Sequence, residues 1–205
     1  MIPMAKSATD VILRDRMQFD VPAGSRDTLY GRIDLSDYVN TVERKGLAVK
    51  EVRFHLRDPN NSTADTPNTG VFTLGMANTN PSGTSVKTSA VKLFATTRAY
   101  EFAKDVGIAS PDVLCVEEFV QVIPQQASAA SPANQAFNIY HNRYGTPDLH
   151  PDGFTVVSDL LIGLAGDGLS QYTDDVVELD VMLIAQPITV TTSRMNEILT
   201  QAQDL

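Results

Sequence analysis

The sequence is short of the residues from which most sites are made. It has no tryptophan, one cysteine and three histidines in 205 residues. A single cysteine cannot build an internal disulfide framework. That residue, Cys115, lies in the apolar stretch Val113-Leu114-Cys115-Val116, which predicts a buried, inert thiol rather than a nucleophile. His55, His141 and His150 form no HxH or HxxxH pair, and zinc bound with one cysteine would need carboxylates to complete its shell. GxSxG, Walker A, GxGxxG and CxxC motifs are all absent. Ser158 and Ser193 have no His/Asp context. The expectation is a non-enzyme with no cofactor, no metal and no small-molecule substrate, and no site residue is assigned.

Three further things are missing. No run of Lys and Arg resembles a nucleic-acid-binding arm. No apolar run approaches the roughly 20 residues of a membrane-spanning helix; Leu160–Ala165 and Val181–Ala185 are strand-sized. Residues 1–20 carry Lys6, Asp10, Arg14, Asp15, Arg16 and Asp20 and no apolar signal core. These features predict a product made in the cytoplasm that does not cross a membrane by itself. The formal charge of −9 is uneven: residues 1–57 hold ten Lys/Arg against eight Asp/Glu, and residues 58–205 hold six against seventeen. This is read either as two faces with different partners or as chance placement on a solvated surface.

What is present is a period of two. Val11, Leu13, Met17, Phe19 and Val21 alternate with Ile12, Arg14, Arg16, Gln18 and Asp20, Asp15 being the one break on the apolar side. Leu29, Ile33 and Leu35, then Val52, Phe54 and Leu56, then Val177, Leu179, Val181 and Leu183 repeat the pattern. Successive strand side chains point to opposite faces, so each set makes a sheet with one buried and one wet face. That is the habit of antiparallel sheets. Further extended segments are expected at Val71–Met76, Val91–Thr97, Val113–Ile123, Ala136–Tyr140 and Phe154–Leu164, the last running through the centre of a sandwich. Turn-formers separate them at Asp58–Asn61, Thr66–Gly70, Asn78–Gly83, Gln125–Asn134 and Thr146–Gly153.

The fold expected is all-β: an antiparallel two-sheet sandwich, an eight-stranded jelly roll as the leading topology, with a short C-terminal helix. A turn or short helix is expected within Leu35–Lys45. Met195, Ile198, Leu199 and Ala202 fall at helical spacing behind Ser193 or Thr192 as N-cap. The divisions are an N-terminal arm at 1–9, a jelly-roll domain at 10–191 and a C-terminal helix or extension at 192–205.

Three groups of polar residues invite a site reading. Thr146–Gly153 holds Asp148, His150 and Asp152 and could bind a cation, yet its prolines and glycine also make a plain loop. Asp167, Asp174 and Asp175 lie on a Gly/Asp connection that does not match an EF-hand; Asp-Gly is a tight-turn signal first. Arg53, His55 and Arg57 share one strand face, and Arg14 and Arg16 share another. If those strands are neighbours a basic patch results; the competing reading is a solvated face paired with local acids.

Taken together, the arrangement resembles a single jelly-roll capsid protein of an icosahedral virus. Gly31-Arg32-Ile33-Asp34-Leu35-Ser36-Asp37-Tyr38-Val39 followed by Val49–Arg57 resembles an opening strand leading through a short excursion into the next. Ser158–Leu164 and Val176–Ile184, joined by a Gly/Asp loop, resemble closing strands. Ile188–Thr191 entering a short amphipathic helix resembles an extension that packs on a neighbouring subunit. The likeness is architectural and departs from capsid proteins that carry an Arg-rich arm, since residues 1–16 hold only Lys6, Arg14 and Arg16 against Asp10 and Asp15. It implies a self-assembling shell subunit of the virion. The implied partners are copies of itself, optionally a second capsid protein, and an inner membrane or the genome touched through the folded surface. Met1–Ser7 and Ser193–Leu205 are expected to lie across neighbours. The alternative function is a ligand- or carbohydrate-binding β-sandwich, which would want exposed aromatic platforms.

Overall fold

The structure, a computed structural model, describes residues 9–20, 28–59, 70–72, 87–123, 138–145, 153–167 and 176–201. The period of two becomes strands β1 (Val11–Asp20), β2 (Thr28–Ile33), β3 (Lys45–Arg57), β4 (Lys87–Thr96), β5 (Val113–Ile123), β6 (Asn138–Tyr144), β7 (Phe154–Val156), β8 (Leu160–Asp167) and β9 (Val176–Thr189), with one helix, α1 (Thr192–Gln201). They form a four-stranded sheet in the order β1-β9-β3-β7 and a five-stranded sheet in the order β2-β8-β4-β5-β6. Every pairing is antiparallel.

Successive strands β1, β2, β3 and β4 alternate between the two sheets, and so do β6, β7, β8 and β9. Without β6 the two orders are those of an eight-stranded jelly roll, so the expected topology holds with one strand added. The core lies between the sheets. Met17, Phe19, Val52, Leu179 and Leu183 bury from one side, and Leu93, Leu160 and Ile162 from the other. Each large side chain contributes roughly 1.5–3 kcal/mol of burial before ordering costs. On the far side of the five-stranded sheet, the segment 97–112 covers a second cluster of Phe94, Val106, Val113 and Val116. Lys92 donates its ammonium to the carbonyls of Ala103 and Val106 at 3.0 and 2.7 Å, tying that segment down.

Several expectations are corrected. Phe154–Leu164 is not one strand: β7 belongs to the four-stranded sheet and β8 to the other, and Val157-Ser158-Asp159 crosses between them. Both strands bury a face, so the apolar run conceals the crossing. Ile188 and Thr189 continue β9, paired with Gly46 and Lys45. Leu35–Lys45, by contrast, makes the turns expected there, with the Leu35 carbonyl accepting the Tyr38 and Val39 amides. Of Val71–Met76, Val71 makes a single bridge to Arg57, and residues 73–76 lie outside the described residues. The helix is capped by Thr191, one residue earlier than expected: its carbonyl accepts the Met195 amide and its hydroxyl the Arg194 amide. Met195 is buried against Val157 and Val190 of its own chain, with Ile188 and Ile198 beside it. So the apolar stripe of α1 does not need a neighbour to cover Met195. Met1–Ser7 and residues 202–205 lie outside the described residues.

Candidate functional site

The outer face of the four-stranded sheet gathers the basic residues. β9 lies between β1 and β3, and the registers place side chains in rows across the sheet. One row is Arg14, Met182 and Arg53; the next is Arg16, Asp180 and His55; the third is Gln18, Glu178 and Arg57. The two basic strands are thus not direct neighbours. The acids of β9 run between them, which unites the two readings of these residues: one patch, internally paired.

The pairing is specific. Arg16 donates Nε to Asp180 Oδ1 at 2.6 Å. Arg57 Nη1 donates to Glu178 Oε2 at 3.1 Å, and Gln18 Nε2 donates to Glu178 Oε1 at 3.1 Å. His55 Nδ1 stands 3.7 Å from Asp180 Oδ2. Arg53 pairs with Glu51 on its own strand. Arg14 has no ion pair among the described residues. The hydrogen bond from Arg16, helped by the nearby charges of Arg16, Arg57 and His55, holds the Asp180 carboxyl below the ordinary carboxylate range. An open depression of about 680 Å³ sits here, lined by Arg14, Arg16, Arg53, His55, Asp180 and Met182 among others. Its chemistry suits an anion that can lie along guanidinium groups.

A second polar cluster joins β5 and β6. Their register sets Glu117 opposite Arg143 and Phe119 opposite His141. His141 Nε2 is 2.6 Å from Glu117 Oε1, and Arg143 Nε is 3.4 Å from the same oxygen. The His141 ring stacks on Phe119 with centroids 4.3 Å apart. Glu117 is buried, and its Oε2 has no hydrogen-bond partner among the described residues. Sequence reasoning missed this cluster. The extended segment expected at Ala136–Tyr140 stops short of His141, whereas His141 is inside β6, and only the β5–β6 register brings residue 117 to residues 141 and 143.

The remaining expectations resolve simply. Cys115 is buried, and burial pushes its thiol up to about 12, so it is unreactive at neutral pH. His55 is a surface residue of the basic face, as its parity predicted. Asp167 ends β8, while His150, Asp148, Asp152, Asp174 and Asp175 lie outside the described residues. Among the described residues no three His, Cys, Asp or Glu side chains gather as metal ligands would, and no helix is long and apolar enough to cross a membrane.

No protein family matches the sequence, and no curated protein does. Solved structures give only faint likenesses. The BFDV capsid protein, crystallised as a decamer, is 10% identical over 87% of this chain and 98% of that one, with a TM-score of 0.27. Turnip Yellow Mosaic Virus is 10% identical over 89% of this chain and 98% of that one, with a TM-score of 0.24. The tailspike of Acinetobacter baumannii phage AM24 is 13% identical over 90% of this chain but 27% of that one, with a TM-score of 0.19. Scores this low carry no argument, and the functional reading rests on the chain itself.

Proposed function

We propose that this chain is a structural subunit of a virion shell that assembles with copies of itself through lateral contacts. The observation that carries the proposal is the strand order, β1-β9-β3-β7 against β2-β8-β4-β5, a jelly roll with an added edge strand. Symmetric assembly multiplies weak contacts, so no single interface has to be large. In this reading the Arg14, Arg16, Arg53 and Arg57 face meets the phosphates of the genome. Most of its guanidiniums are already paired, so the contact is weak and sensitive to salt. A sugar-binding module is the poorer reading. Phe54 is the one carbocyclic aromatic in the depression's lining, which includes no tyrosine for a sugar to stack on.

Mass photometry and negative-stain electron microscopy of the purified chain across a salt series test the proposal. Closed particles or rings of uniform size support it. A monomer at every salt and protein concentration counts against it.

A further inference from the structure

Among the described residues the five-stranded sheet is one strand wider than the sheet facing it, and the extra strand has no counterpart there. β1 packs beside β2, so the two sheets align from that edge. Counting across, β9 faces β8, β3 faces β4 and β7 faces β5, and β6 projects beyond the sandwich. Its exposure agrees: Ile139 is 65%, Tyr140 52% and Tyr144 41% exposed. Ile139 lies on one face of the strand and the two tyrosines on the other.

An edge strand offers a row of unpaired amides and carbonyls, and proteins usually blunt such edges with charged side chains, proline or a bulge. β6 has no proline, lysine or bulge, and its one arginine, Arg143, is drawn onto Glu117 of β5. Its sequence is Asn-Ile-Tyr-His-Asn-Arg-Tyr, and its seven pairs with β5 run without a register shift. Only another extended strand matches such an edge, and an antiparallel strand matches itself about a twofold axis.

We infer that β6 is the seam of a twofold contact, in which β6 of one copy pairs antiparallel with β6 of a second copy. The added strand makes room for it. The path from β5 through the two β6 strands to the partner's β5 covers three strand spacings, about 14 Å. The two β7 strands above are therefore held well apart. A sheet ending at β5 would bring them within one spacing. Centred on His141, the pairing sets Ile139 against Arg143 of the partner subunit and Tyr140 against Asn142 of the partner subunit. β6 carries no acid, and Arg143 and His141 already engage Glu117 of their own chain. Arg143 thus faces an apolar Ile139 across the seam and no second cation.

This deepens the assembly reading, and its test is separate. Sedimentation velocity compares the natural chain with Ile139→Arg and Ile139→Glu. The natural chain is expected to have a dimer as its smallest assembled unit. Ile139→Arg sets a cation against Arg143 twice per contact and is expected to weaken dimerisation about tenfold. Ile139→Glu pairs with the same Arg143 and is expected to bind at least as tightly as the natural chain. Tm measured at a concentration where all three chains are monomeric should be unchanged, because the side chain is mostly exposed in the single chain. Equal weakening by both substitutions overturns the seam, and so does a monomeric natural chain. Shells that form normally from Ile139→Arg remove the β6 contact and leave the shell reading standing. A β6 dimer that never grows further does the reverse.

Discussion

Tyr30 and Tyr100 hold each other through a reciprocal pair of hydrogen bonds. The Tyr30 hydroxyl donates to the Tyr100 carbonyl at 3.0 Å and accepts the Tyr100 amide at 2.8 Å. Tyr100 in turn donates its own hydroxyl to Asp112 Oδ1 at 2.9 Å. One side chain on β2 therefore satisfies both backbone groups of a residue in the covering segment, and desolvation pushes both phenols above their ordinary value.

Tyr30→Phe keeps the ring, including its edge contact with Phe94 at 5.7 Å, and removes only the hydroxyl. Two part-buried backbone groups then lose their partner. The expected cost is about 1–3 kcal/mol. Hydrogen exchange should localise it: amides of residues 97–112 should exchange faster while β9 keeps its protection.

Gly163 is the next sensitive position. It lies between Tyr30 and Phe94 in one row of the five-stranded sheet. A Cβ placed there would stand 2.1 Å from the Phe94 ring. Phe94 is fully buried, so its ring can give way only by displacing the residues packed around it. Gly163→Ala is therefore expected to destabilise by about 1–3 kcal/mol or more, read as a lower urea midpoint. Double substitution with Phe94→Leu should cost less than the sum of the two single changes.

Asp180 sets an acid-side dependence. Its folded carboxyl titrates below the unfolded value of about 3.9, because Arg16 donates to the ionised form. The resulting stabilisation is fully present above the unfolded value and is lost as pH falls through the folded one. A carbon-detected NMR titration should place the Asp180 midpoint below that of an ordinary aspartate, and Arg16→Ala should move it upward. The chain with Arg16→Ala should also show a shallower loss of stability below about pH 4. An unmoved midpoint would refute the pairing.

How much of this was legible from residues alone depends on whether a strand buries a face. β1, β3 and β9 each bury one, so Met17, Val52 and Leu179 announce themselves by alternation. β6 overhangs the sandwich and buries neither face fully, so Asn138–Tyr144 has no such signal, and the strand runs on past the expected end at Tyr140 to Tyr144. The basic face was half visible. Parity put Arg14 with Arg16 and Arg53 with Arg57, but the strand between them comes from far along the chain: Arg16 and Asp180 are 164 residues apart. Local pattern cannot supply that adjacency. The buried Glu117 looked like part of an ordinary strand for the same reason, because its partners depend on the β5–β6 register.

The helix offers the last test, because it contrasts two apolar residues on one element. Met195 is 4% exposed and contacts Val157 and Val190, whereas Leu199 is 37% exposed. If α1 belongs to its own sandwich, the two must differ in a dilute, monomeric sample. Met195→Ala opens a cavity and is expected to cost about 2–5 kcal/mol. Leu199→Ala trims a partly exposed side chain outside the Val157–Val190–Met195 cluster and should cost well under the Met195 change, about 0.5–1 kcal/mol. Urea denaturation at a concentration where the chain is monomeric measures both. If α1 docked only on a neighbouring subunit, neither substitution would change monomer stability, and both would instead weaken association. A loss concentrated at Met195, seen in the monomer, places the helix on its own fold.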